Sequence, residues 1–100
     1  MLVGPNWGSD KALVIIDVRS NSEWRAGHLA TAIHLHLNNI AEGIGDLVDN
    51  KQQKIYLYCR SGNRSGKAMK ILQGLGYSNV INAGGIAEAS QLLKQKVISD

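Results

Sequence analysis

The sequence contains little cysteine and little proline, and it has no long apolar run. Among its 100 residues there is one cysteine, Cys59, and one proline, Pro5. A single cysteine cannot form a disulfide within the chain, so any special role of Cys59 must come from a free thiol. No segment approaches the roughly 20 consecutive apolar residues that are needed to span a bilayer. These shortages exclude a disulfide-stapled scaffold and argue against a membrane protein.

Length and composition predict a single globular domain. The chain is 44% hydrophobic and 19% charged, which is ordinary for a folded domain of this size. We expect residues 1–100 to form that one domain, with residues 1–12 as an N-terminal arm. Residues 1–10 have no basic head followed by an apolar stretch, so they do not read as a signal peptide, although a precursor signal replaced by Met1 stays possible.

Acidic residues are missing from the middle of the chain. After Asp49 the next acidic residue is Glu88, so the six cations between them give this stretch +6 while the whole chain carries +3. The cations are Lys51, Lys54, Arg60, Arg64, Lys67 and Lys70. Because they surround the only cysteine, they favour a site for a small anion. No basic segment is interleaved with aromatic residues, which argues against nucleic-acid binding.

Short apolar runs alternate with segments of helical periodicity. Strands are predicted at residues 13–16, 32–35, 54–59 and 79–82, and helices at residues 21–25, 37–48, 63–74 and 86–96, with a turn at Gly84 and Gly85. Asn21 or Ser22 is the expected N-cap of the first helix. Strands that alternate with helices predict a mainly parallel sheet covered on both faces.

Cys59 is the last residue of a predicted central strand, and a short polar loop follows it into a helix. Ligand sites in parallel sheets lie at the carboxyl ends of the strands, where loop amides and a helix N-terminus attract anions. Arg60 and Arg64 add two positive charges. These features favour thiolate over thiol, so we expect the pKa of Cys59 to fall below the free value of about 8.5. A buried, inert cysteine is the alternative.

The residues around Cys59 resemble the active-site loop of the single-domain rhodaneses, the thiosulfate sulfurtransferases. The loop is YCRSGNRS at residues 58–65, and residues 17–29 and 76–85 are similar to the first and last conserved blocks of that family. The resemblance extends from about residue 13 to about residue 93. The Asn-Ala-Gly-Gly segment and short C-terminus are most similar to small bacterial members related to phage-shock protein E.

The resemblance implies a rhodanese-like α/β fold with a mainly parallel five-stranded sheet and helices on both faces. It implies that sulfane sulfur passes from thiosulfate or a similar donor to Cys59 as a persulfide, and then to a thiophilic acceptor, which is cyanide in the assay. The catalytic residue would be Cys59, without metal or organic cofactor. The donor anion would bind the loop amides of Arg60, Ser61, Gly62, Asn63 and Arg64.

Two other classes of function are considered beside sulfur transfer by an enzyme. The chain could be a non-enzymatic persulfide carrier or a rhodanese-like module that binds a protein partner; it would keep Cys59 but turn over poorly. Cysteine phosphatases need an arginine six residues after the cysteine, whereas Arg64 lies five residues after Cys59. His34 and His36 point to one face of a predicted strand, but no third ligand has metal-site spacing, so no metal site is predicted.

The resemblance also implies partners and a compartment. The expected partners are a small anionic sulfur donor and a thiol or protein sulfur acceptor, with no nucleic acid and no membrane, and the expected oligomeric state is a monomer. Exported bacterial relatives favour the periplasm, whereas the missing signal favours the cytoplasm. We rank a soluble periplasmic protein first.

Overall fold

The computed structural model describes residues 13–99, which contain six β-strands and four α-helices. In chain order they are β1 (Val14–Asp17), α1 (Asn21–Ala26), β2 (His28–Leu29), β3 (Ile33–His34), a 3-10 turn (Leu37–Asn39), α2 (Ile40–Leu47), β4 (Ile55–Cys59), α3 (Asn63–Gly74), β5 (Val80–Gly85), α4 (Ile86–Leu93) and β6 (Val97–Ile98). The expected arm at residues 1–12 lies outside the described residues.

The main sheet is parallel and has the strand order β3-β1-β4-β5. The α/β class and the mainly parallel sheet are therefore confirmed. Within residues 13–99 the sheet has four strands rather than the expected five, since β2 and β6 form a separate antiparallel pair. The two central strands, β1 and β4, are the most apolar, because a parallel strand inside such a sheet is buried on both faces.

Each face of the sheet carries its own core. One core joins the sheet to α2 and α3, and its members include Ile16, Ile44, Leu57 and Leu72. The other lies under α4 and β2 and includes Ile15, Leu29, Tyr58, Ala83 and Ala89. Neighbouring residues such as Ile15 and Ile16 serve opposite cores because side chains alternate along a strand. The predicted cover of helices on both faces is confirmed.

The first helix begins at Asn21, as predicted, but its N-cap lies one residue earlier than expected. Ser20, not Asn21 or Ser22, is the N-cap, and its extended backbone lets its side chain accept a hydrogen bond from Glu23 N. The Glu23 carboxylate accepts in return from Ser20 N at 3.0 Å, which completes a capping box. This cap fixes Glu23 at the start of α1, where it faces the Cys59 loop.

Three other predictions need correction. The Gly84–Gly85 pair ends β5 instead of forming a turn outside it. The last helix stops at Leu93 because Lys94 adopts a left-handed conformation, with φ of 55°, and reverses the chain toward β6. Strand β3 ends at His34, so His36 does not share its face. No helix among the described residues is long and apolar enough to cross a bilayer.

Candidate active site

Cys59 occupies the carboxyl end of β4, and the chain turns from it into α3 within three residues. Gly62 is the residue that makes this turn, with φ of +98° just before the first helical residue, Asn63. A Cβ at Gly62 would lie 3.2 Å from the backbone of Gly84, so the position is crowded as well as left-handed. The loop therefore closes tightly against the end of β5.

The sulfur of Cys59 lies at the centre of this loop and accepts hydrogen bonds from it. The backbone N–H of Gly62 donates to Sγ at 2.9 Å, and the Ser65 hydroxyl lies 3.5 Å from Sγ. Burial raises the pKa of Cys59, but the hydrogen bonds from the Ser65 side chain and from the backbone of Ser65, Ser61 and Gly62 together lower the pKa to about 7. The thiolate is thus populated near neutral pH.

Burial alone does not distinguish this cysteine from an inert one. Cys59 is only 1% exposed and belongs to the core that contains Leu57 and Leu72. A buried cysteine without donors would have a raised pKa. Here the donors outweigh the desolvation, so the predicted direction of the pKa shift is confirmed. The pKa is lowered by hydrogen bonds from the loop and the start of α3, which are among the features expected from the sequence; the two arginines, which were also expected to contribute, are not among the main causes.

The two arginines of the loop differ in their surroundings. Arg64 donates to both carboxylate oxygens of Glu23, at 2.7 and 2.9 Å. This pair holds the pKa of the Glu23 carboxyl well below its usual range. The Arg64 charge still acts on Cys59 through space, but the N–H groups that point to Glu23 are occupied. Arg64 therefore fastens the loop to α1, which fixes the loop from the side opposite β5.

Arg60 is exposed and lies beside a cleft next to the loop. The cleft has a volume of about 370 Å³. Its walls are formed by Arg19, Glu23, Ala26, Gly27, Arg60, Ile86 and Val97. Ser61 and Asn63 are also exposed, so three of the five predicted anion-binding residues face outward. A small anion that approaches the loop would meet the exposed guanidinium of Arg60.

Two polar residues of the site, Ser65 and Asn82, are absent from the residues predicted from the sequence. Ser65 is fully buried on the first turn of α3 and donates to Asn82 Oδ1 at 2.7 Å. Asn82 Nδ2 donates to the carbonyl oxygen of Gly62 at 3.0 Å. A serine six residues after a cysteine is a weak sequence signal for a site residue. Asn82 could not be assigned to the site before the pairing of β5 with β4 was known.

Comparison with protein families and with known structures gives a consistent result. The family model for the rhodanese-like domain matches residues 6–91. Thiosulfate sulfurtransferase PspE of Escherichia coli is 37% identical over 73 residues, which cover 73% of this chain and 70% of that protein. A putative mitochondrial thiosulfate sulfurtransferase of Schizosaccharomyces pombe is 37% identical over 87% of this chain and 70% of its own length.

Two further relatives bear on fold and function. The structure of a rhodanese with anions from E. coli superposes with a TM-score of 0.80 at 31% identity, covering 89% of this chain and all of that one. A putative sulfur carrier protein of Bacillus subtilis, YrkF, is 34% identical over 74% of this chain but only 39% of its own length. With the family model spanning most of the sequence, the chain belongs to the rhodanese-like sulfurtransferase family.

Proposed function

We propose that this protein is a thiosulfate sulfurtransferase in which Cys59 carries the transferred sulfur. The observation that carries the proposal is the cradle around Sγ, in which the N–H of Gly62 lies 2.9 Å from the sulfur at the start of α3. A nucleophile needs to be ionised at working pH, and the pKa of Cys59 near 7 meets that need. The similarity to PspE supports thiosulfate as the donor.

The first half-reaction forms the persulfide. The Cys59 thiolate attacks the outer sulfur of thiosulfate, a new S–S bond forms, and the S–S bond of thiosulfate breaks. Sulfite leaves with the electron pair of the broken bond. The negative charge of the attacking sulfur is thus passed to the leaving group, and the exposed guanidinium of Arg60 and the loop amides of residues 60–64 stabilise the anions on both sides of this step.

The second half-reaction transfers the terminal sulfur from Cys59 to the acceptor. A nucleophilic acceptor, a thiolate in the cell or cyanide in an assay, attacks the terminal sulfur of the persulfide. The S–S bond breaks and Cys59 is released as a thiolate, which the Gly62 amide and the Ser65 hydroxyl stabilise. No net oxidation occurs, because one sulfane sulfur moves from one nucleophile to another.

The loop length argues for sulfur rather than phosphate as the transferred group. The Arg64 guanidinium is bound to Glu23 and does not face the Cys59 sulfur as a phosphate-binding arginine would. Gly62 packs against Gly84, which keeps the loop around Sγ tight. We therefore expect no hydrolysis of aryl phosphates.

The second candidate function is that of a persulfide carrier. The observation that supports it is the similarity to the putative sulfur carrier protein YrkF. Steady-state release of sulfite from thiosulfate separates the two candidates. An enzyme releases many equivalents of sulfite and thiocyanate when cyanide is present, whereas a carrier releases one equivalent and stops. One equivalent with cyanide and also with small thiols would overturn the enzymatic proposal and leave the carrier.

A further inference from the structure

The side-chain amide of Asn82 connects three parts of the site. Its Oδ1 accepts from the Ser65 hydroxyl at 2.7 Å and from Gly84 N at 2.9 Å, and its Nδ2 donates to Gly62 O at 3.0 Å. Two donors facing the oxygen and one acceptor facing the nitrogen fix the orientation of the amide. Asn82 thereby links the Cys59 loop, the first turn of α3 and the end of β5.

The Ser65 hydroxyl has one proton and two acceptors near it. The acceptor in Asn82 is 2.7 Å from Oγ, an ordinary distance for a good O–H···O hydrogen bond, and the acceptor in Cys59 is 3.5 Å away. One proton cannot serve both at once. Ser65 is fully buried, so water does not supply a substitute donor to the sulfur from that side.

We propose that Asn82 is a positioning residue that competes with Cys59 for the Ser65 proton and so limits how strongly the cradle stabilises the thiolate. The proposal rests on the sulfur-transfer function given above, because it concerns the nucleophile of that reaction. A thiolate loses nucleophilicity as its pKa falls, with a Brønsted coefficient of about 0.4–0.5. A donor diverted to Asn82 therefore leaves the sulfur more reactive once it is ionised.

A hydrogen bond to an ionised group shifts a pKa by about one unit. If Asn82 is replaced by alanine, the Ser65 hydroxyl keeps Sγ as the acceptor, and the pKa of Cys59 should fall by about 0.5–1 unit. An Asn82 that only held the loop in place would give the opposite sign, because a loosened loop would withdraw amide donors from the sulfur. The sign of the shift thus separates positioning of the proton from simple support.

The test is a cycle of Asn82→Ala, Ser65→Ala and the double variant, with the pKa of Cys59 read from the pH dependence of alkylation by iodoacetamide. We expect Asn82→Ala to lower the pKa by about 0.5–1 unit, and Ser65→Ala alone to raise it by less than about one unit, because the hydroxyl is shared between Sγ and Asn82. In the double variant the lowering should vanish. A raised pKa in Asn82→Ala, or the same lowering with and without Ser65, would overturn the proposal.

Asn82→Asp is a second check: it keeps an acceptor for the Ser65 hydroxyl but replaces the donor to Gly62 O with a negative charge, so it should raise the pKa rather than lower it. Asn82 itself is exposed, so the fold should tolerate these changes. If Asn82→Ala nevertheless failed to fold, the pKa of Cys59 in Ser65→Ala would decide the question. A rise of one unit or more would mean that the Ser65 hydroxyl already donates to Sγ, and this would overturn the proposal. Alkylation uses no sulfur donor, so the pKa of Cys59 can be measured even if the protein does not turn over thiosulfate.

Discussion

The two central strands of the sheet end side by side, and each ends in an ionisable side chain that accepts hydrogen bonds. Asp17 ends β1 and Cys59 ends β4, with Asp17 opposite Tyr58 in the register. The Asp17 carboxylate is fully buried. It accepts three hydrogen bonds from the Arg19 side chain, at 2.7 to 3.0 Å, and a fourth from the backbone N–H of Arg19. The sulfur of Cys59 receives backbone and hydroxyl donors instead.

The difference shows how one sheet edge serves structure and chemistry at once. The Arg19 guanidinium supplies a full countercharge to the Asp17 carboxylate and also donates to Gly27 O. At Cys59 the donors are dipoles, which stabilise the thiolate without neutralising it, so the sulfur keeps its capacity to attack. We infer that the Asp17–Arg19 pair stabilises the end of β1, next to the end of β4 that carries Cys59.

The largest expected effect follows from breaking the buried pair. Arg19→Leu leaves the Asp17 carboxylate buried without its partner, so the free energy of unfolding should fall by about 3–5 kcal/mol. Sulfur transfer per folded molecule should change little, because Arg19 does not contact Sγ in the described structure. Urea unfolding followed by tryptophan fluorescence measures the first quantity.

Arg60→Leu is the matched control for that change, since Arg60 follows the other strand end but is exposed. Its stability should stay within about 0.5 kcal/mol of wild type, while its KM for thiosulfate rises. The double change Asp17→Asn with Arg19→Leu should recover part of the lost stability, because no unpaired charge is then buried. Equal losses in Arg19→Leu and Arg60→Leu would refute the contrast between the two strand ends.

Gly62→Ala tests the loop itself. The new Cβ would meet the Gly84 backbone at 3.2 Å with φ of +98°, so the loop must shift and the Gly62 amide must move from the sulfur. Misplacement of this kind costs about 100-fold in rate, which we expect for kcat/KM with thiosulfate.

Gly45→Ala provides the control for Gly62→Ala. Gly45 lies within α2, and a Cβ there would have no neighbour within 4 Å. Alanine should leave sulfur transfer unchanged and stabilise the helix by about 0.5–1 kcal/mol. If Gly62→Ala were as active as Gly45→Ala, the tight cradle would not be required for transfer.

The pH dependence provides the third test. With a pKa of about 7 in the folded protein and about 8.5 in the unfolded chain, the Cys59 thiolate stabilises the fold above that interval and the contribution is lost as pH falls through 7. The free energy of unfolding should therefore rise by about 1.5 kcal/mol between pH 7 and pH 9. In Cys59→Ser this rise should be absent; an equal rise in both proteins would assign it to other groups.

The smallest effect is expected from the surface charges near the loop. Lys67 and Lys70 border a depression of about 310 Å³ together with Gly62 and Asn63. Lys67→Glu should lower kcat/KM for thiosulfate about two- to threefold at low salt, and the loss should fade at higher salt. Lys54→Glu is the control, since Lys54 precedes β4 and lies about 16 Å along the strand from Cys59. Equal effects of both changes would argue against steering by a local patch.

Much of the fold follows from patterns in the sequence. The four strands of the main sheet and the four helices occur where apolar runs and helical periodicity predict them. The pair β2 and β6 was not predicted, because each strand has only two residues and the pair joins segments about 70 residues apart, His28 with Ile98 and Leu29 with Val97. The predicted N-cap of α1 was wrong by at least one residue, because Ser20, Asn21 and Ser22 are all of residue types that cap helices. Only the backbone conformation distinguishes them.

The site was predictable at its centre and less so at its edges. The position of Cys59 between a strand and a helix follows from local sequence, and so does the amide cradle. The partner of Arg64 does not, because Glu23 lies 41 residues away and reaches the loop only through the capping of α1. Asn82 likewise contacts the loop across the β4–β5 pairing. Sequence spacing identifies the charges of a site but not which charges neutralise one another.

The central claim is that the Cys59 cradle accepts one sulfur atom from thiosulfate, and intact-protein mass spectrometry tests it most directly. After incubation with thiosulfate and removal of excess donor, the wild-type protein should gain the mass of one sulfur atom, and cyanide should return it to the starting mass. Cys59→Ser, with its fold verified by circular dichroism, should gain nothing. A wild-type protein that stays at its original mass, or a serine variant that gains sulfur, would contradict the account.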